Sequence, residues 1–116
     1  MPLLKIQTNT DISESQSAAL LERGTQLVVD ELAKPRDYVQ VVVQGSQSIA
    51  FGGTTESSAF VELRSLGLPD ETPKALSAAI CALLSDELNI PSTRTFINFF
   101  DIERANWGWN SKTFGG

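Results

Sequence analysis

A chain of 116 residues holds one compact domain, and its 41% apolar and 20% charged residues suit a folded globular protein rather than a disordered one. A net charge of −5, with no run of Lys or Arg, argues against nucleic acid or an anionic membrane as a partner, and no apolar run approaches the ~18 residues of a spanning helix. With no histidine and the single cysteine Cys81, a Ser/His triad, a Cys/His pair, a His-ligated metal, an internal disulfide and a CxxC redox centre are excluded.

Residues 2–8, PLLKIQT, read as a strand. No basic segment followed by a long apolar stretch opens the chain, so the expected compartment is the cytoplasm. Ser13 and Gln16 form a capping box, after which Leu20, Leu21, Leu27, Val28 and Leu32 recur at helical spacing. Lys34-Pro35 closes this helix, because proline disfavours helical geometry in the residue before it. Residues 38–44, YVQVVVQ, are β-branched and strand-like, and Phe51-Gly52-Gly53 marks a turn. Residues 58–65, SAFVELRS, read as a third strand. Thr72-Pro73 opens a second helix with Leu76, Ile80, Leu83, Leu84 and Leu88 as its apolar stripe. After Pro91, residues 95–101, TFINFFD, form a fourth strand, and the tail carries Trp107, Trp109 and Phe114.

The halves repeat. A shift of 56 positions lays Asp30-Glu31-Leu32 on Asp86-Glu87-Leu88 and Pro35 on Pro91. Two β-α-β units therefore predict an α+β domain spanning 1–116, a four-stranded sheet with both helices on one face. The valines at 39, 41, 42 and 43, and Phe96, Ile97, Phe99 and Phe100, suggest strands apolar on both faces. With two helices available for one face only, the other face is expected to meet further subunits.

The segments MPLLKIQTNT, LAKPRDYVQVVV, AFGGTTES, LRSLG, CALLSDELNI and INFFDIERANWGWNSKTF together resemble the macrophage migration inhibitory factor homologues of the tautomerase superfamily, over essentially the whole chain. Most specific is an N-x-x-D strand end followed by A-N-x-G-W-N-x-x-T-F. The resemblance implies a homotrimer and a keto–enol tautomerase acting on a small aromatic 2-oxo acid such as phenylpyruvate, with no cofactor or metal. Pro2, its secondary amine exposed by removal of Met1, is implied as the catalytic base. An α-amino group ordinarily titrates near 7.7–8.0, and an apolar pocket beside a cation lowers that value.

By the same resemblance Lys34 binds the substrate carboxylate and lowers the proline pKa; as a plain helix-end lysine it would favour the dipole and bond terminal carbonyls. Leu66 is implied to offer its backbone amide to substrate, and Asn98 to enter the site from an adjacent subunit; without the resemblance Asn98 reads equally well as a strand-edge residue. Tyr38, Phe96, Trp107, Trp109 and Phe114 are core aromatics or the apolar pocket wall. Two positions depart from the animal members: Phe96 stands where tyrosine is common, and Trp107 where a smaller aliphatic residue is usual. Ser58 and Val61 replace the CxxC of some animal members, so thiol–disulfide activity is not expected. Cys81 reads as a buried small residue, and Arg36 and Arg64 as solvated. The alternative from another class is a cytokine-like signalling trimer with a vestigial pocket. Hydrolytic dehalogenation or decarboxylation would need extra arginine or acidic groups in the pocket, and the sequence places none there.

Overall fold

Alternation is strictest in two segments, LLKIQT and AFVELRS, and these become the central strands of the sheet. The computed structural model describes residues 1–116. In chain order they form β1 (Leu3–Thr8), α1 (Glu14–Leu32), β2 (Gln40–Gln44), β3 (Ala59–Ser65), α2 (Thr72–Leu88), β4 (Thr95–Asp101) and a short hairpin, β5 (Gly108–Trp109) with β6 (Lys112–Thr113). The main sheet has the order β2-β1-β3-β4. Within it β1 runs parallel to β2 and antiparallel to β3, and β3 runs parallel to β4.

Leu4 and Ile6 from β1, Val61 and Leu63 from β3, Leu20 and Val28 from α1, and the full α2 stripe make one buried core. Its α2 stripe (Leu76, Ile80, Leu83, Leu84 and Leu88) is the one read from helical spacing. On α1 the stripe is narrower than that spacing suggests. Leu21 is 41% exposed, whereas Gly24 is buried, and a Cβ there would stand 3.3 Å from Leu4 and Val41 side-chain carbons. The close approach of α1 to the sheet thus replaces a side chain at that point. Leu84→Ala should cost about 2–5 kcal/mol, since it opens a cavity in a fully buried layer. Urea unfolding checks this; a loss below about 1 kcal/mol would mean the layer collapses around the gap.

The repeat is structural as well as sequential. Left-handed caps at Ala33 (φ 52°) and Asn89 (φ 57°) end α1 and α2. Each is followed by a proline and a short 3-10 turn, residues 36–38 and 92–94, all displaced by 56 positions. The capping box is formed: Gln16 N donates to Ser13 Oγ at 3.1 Å, and Ser13 N donates to the Gln16 amide oxygen at 2.9 Å. The tail hairpin turns on Asn110 and Ser111, both at positive φ, the backbone of a type I′ turn.

Three strand boundaries are corrected. The first strand begins at Leu3 rather than Pro2. The second begins at Gln40 rather than Tyr38, because the turn at 36–38 precedes it. The third begins at Ala59 rather than Ser58. Val39, Val41 and Val43, with Ile97 and Phe99, pack on the core, which leaves Val42, Phe60, Phe96 and Phe100 for the other face by strand alternation. Between them the central strands place Lys5, Glu62 and Arg64. That face therefore carries apolar residues of both edge strands, as their patterning suggests, with charged residues of the central strands between them. Arg64 pairs with Glu62 at 2.6 Å and lies over the Phe100 ring at 4.2 Å.

Candidate active site

Pro2 is fully buried at the head of β1. Its carbonyl accepts a hydrogen bond from Gln40 N at 3.0 Å, which continues the β1–β2 pairing by one step and seats the terminus against β2. The Met1 ammonium donates to the Tyr38 carbonyl. Around this terminus lies a cavity of about 300 Å³ lined by Met1, Pro2, Tyr38, Trp107, Trp109 and Phe114, with Asp37, Val39, Gln40 and Gly108 completing it. The wall is ordered by ring geometry. Trp109 stacks on Phe114, centroids 5.6 Å apart and planes 8° from parallel, and Tyr38 meets both edge-on at 5.7 and 6.3 Å. Such pairs add to simple area burial. The short hairpin delivers this wall, fastened by Phe114 N donating to Trp107 O at 3.1 Å.

Lys34 follows the left-handed cap of α1 and does not bond the helix carbonyls. Its Nζ donates to the Leu66 carbonyl at 3.0 Å, so the helix-end role gives way to a long-range contact. The repeat explains the geometry: the position equivalent to Lys34 is Ile90, which is wholly buried in the core. The first unit thus carries a cation on a stem aimed inward, where the second carries an aliphatic side chain. The consequence is electrostatic. The Met1 ammonium is held below its ordinary value, first by burial and then by the Lys34 charge; both penalise a proton there.

Pro2, Tyr38, Trp107, Trp109 and Phe114 line this cavity; Lys34 and Leu66 do not, Lys34 bearing on the terminus through its charge while it bonds the Leu66 carbonyl. Phe96 and Asn98 join neither group. Asn98 pairs in register with Glu62, which pairs with Lys5, and so belongs to the face opposite the buried side of Pro2. Phe96 is level with Gln7, five residues along β1 from Pro2 and two strands away, a separation of roughly 15–20 Å at ordinary strand spacings. It is 63% exposed and packs on Phe51 at 4.6 Å. The sequence pattern does not single out Gln40, whose place beside Pro2 follows from the parallel β1–β2 register. Cys81 is half-buried rather than enclosed, on the outer side of α2, and burial raises its thiol pKa.

The family model for macrophage migration inhibitory factor (MIF) matches residues 1–115. The chain belongs to the MIF family, within the tautomerase superfamily. It is similar to MIF homologues from Brugia malayi (36% identity over 99% of this chain and 100% of that one) and Trichuris trichiura (38% identity over 98% and 100%). It is also similar to the crystal structure of an MIF homologue from Prochlorococcus marinus, with a TM-score of 0.93, 31% identity, and coverage of 97% of this chain and 99% of that one. MIF membership gives the α+β architecture and, in general terms, a tautomerase-type or cytokine-like function. No helix is long and apolar enough to cross a membrane.

Proposed function

We propose that this MIF-family chain is a phenylpyruvate-type keto–enol tautomerase, with Pro2 as its base once Met1 is removed. The observation that carries the reading is the buried Pro2 in the lining of an aromatic-walled cavity, with the Lys34 charge close enough to act on the terminal amine. While Met1 is attached, the Pro2 nitrogen is an amide and has no basic lone pair. Removal of Met1 places a secondary amine deeper than the Met1 ammonium, where burial and the Lys34 charge both favour the neutral, basic form.

In the ketonising direction Pro2 takes the enol hydroxyl proton. The oxygen electrons re-form C2=O, the C2=C3 π pair becomes the bond to a proton at C3, and Pro2 supplies that proton. An ammonium has three donors; one of Lys34's is used by the Leu66 carbonyl, leaving two for the substrate carboxylate. The Leu66 amide orients the substrate, and Tyr38, Trp107, Trp109 and Phe114 receive the aryl ring.

In this reading the functional unit is a homotrimer. Asn98 and Phe96, remote from Pro2 within one protomer, reach a neighbour's cavity, and the exposed Phe96 ring is covered there. Intact mass, sedimentation and a phenylpyruvate assay on one preparation test the proposal. The expected result is a trimer lacking Met1 that interconverts the keto and enol forms; a Met1-free trimer without turnover would refute it.

Phe96→Tyr should raise kcat/KM by about twofold to tenfold, the worth of one net hydrogen bond. The comparison is made in the native and the Trp107→Val backgrounds, since the indole can occupy the space that a hydroxyl needs. No gain in either, with the trimer intact, would assign Phe96 to packing against Phe51.

A further inference from the structure

The N-x-x-D strand end holds a carboxylate that the proposed mechanism leaves unused. Asp101 is the last residue of β4, beside Ser65 in the β3–β4 register. Its Oδ1 accepts a hydrogen bond from Gly67 N at 3.0 Å. The Lys34 ammonium donates to the Leu66 carbonyl, also at 3.0 Å. The Leu66 carbonyl and the Gly67 N–H belong to one planar peptide group and point in opposite directions. That single peptide is therefore gripped at both poles, with a cation on its oxygen and an anion on its hydrogen.

Both charges match the peptide dipole, so each bond strengthens the other by polarisation. Gly67 adopts φ +84°, a conformation that costs glycine little and other residues more. No other loop bond fixes this peptide; the preceding one is held separately, with Ile102 N donating to Ser65 O at 2.8 Å.

We propose that Asp101 is a positioning residue for Lys34, acting through the Leu66–Gly67 peptide to hold the ammonium where it meets the substrate carboxylate. The site assignment rests on the tautomerase reading above; the clamp itself does not. Without Asp101 the peptide can rotate, the carbonyl drifts, and the flexible lysine loses its fixed anchor. Binding suffers more than chemistry, because Lys34 is the carboxylate's partner.

The test compares Asp101→Ala, Asp101→Asn and the native chain as intact trimers, with phenylpyruvate as the probe and the Lys34 Cε protons as a second readout. A held ammonium gives that methylene two distinct proton resonances, which merge when the side chain moves freely. Asp101→Ala should raise KM about threefold to tenfold, change kcat less, and merge the Lys34 resonances. Asp101→Asn keeps an acceptor oxygen and should return both readouts to within about twofold of native. Unchanged KM and unchanged resonances in Asp101→Ala would overturn the proposal. So would a raised KM in both variants with the Lys34 resonances still distinct, which would place the effect of Asp101 outside the clamp. If Asp101→Ala does not assemble, Asp101→Ser, too short to reach Gly67, carries the same test. If the native protein does not turn over phenylpyruvate, the tautomerase reading fails alone, and the Lys34 resonances still decide the clamp.

Discussion

Protein that keeps Met1 should turn over phenylpyruvate about 10²–10⁴-fold more slowly than protein beginning at Pro2, the range that a positioned general base contributes. The reason is covalent: an amide nitrogen has delocalised the lone pair that the reaction needs. Geometry adds to it, since Met1 itself lines the cavity and its ammonium is tied to the Tyr38 carbonyl. The comparison requires both forms at known purity, set by intact mass, assayed at one pH. Equal turnover by the two forms would remove Pro2 from the mechanism, whatever the state of Lys34 and the aromatic wall.

Lys34→Ala should lower kcat/KM by about 10- to 150-fold, as expected when a hydrogen bond to a charged group, worth roughly 1.5–3 kcal/mol, is lost. The same substitution should move the acid limb of the pH–rate profile. The active form of the base is neutral, so activity falls as the pH drops through its pKa. The Lys34 charge lowers the pKa of an amine at this terminus, as it does for the Met1 ammonium. Its removal therefore raises the pKa and shifts the limb to higher pH. Burial remains as the larger cause, so the limb should not return fully to the ordinary α-amino value. A profile that drops in height without moving would mean that Lys34 binds substrate but leaves the base untuned.

Much of this arrangement is legible in residue order. The capping box at Ser13, the α2 stripe and the 56-position repeat are local or nearly local patterns, and the structure reproduces them. Long-range partners are not local. Nothing in the letters around Lys34 says that its stem bypasses the helix carbonyls for Leu66, although the repeat contains the clue, because Ile90 at the equivalent position is pure core. Nor does spacing show that Asp101 reaches Gly67 N. The run VVV puts apolar residues on both faces of β2, but a sheet face is composed across strands. The residues that add charge to the open face are Lys5, Glu62 and Arg64 on the central pair. Phe96 and Asn98 mark the same limit at the site itself: strand register separates them from Pro2 within the chain, and their place in a neighbour's cavity belongs to the proposed trimer.

Nitrogen NMR of protein lacking Met1 and labelled at Pro2 gives the most direct test of that amine as the base. The resonance is followed through a pH titration, and the kinetic acid limb is measured on the same sample. The expected result is one transition in the Pro2 signal, below the ordinary α-amino range of about 7.7–8.0, that coincides with the limb in kcat/KM. A Pro2 amine that titrates at its ordinary value, or a limb that follows some other group while Pro2 stays protonated, would contradict the assignment.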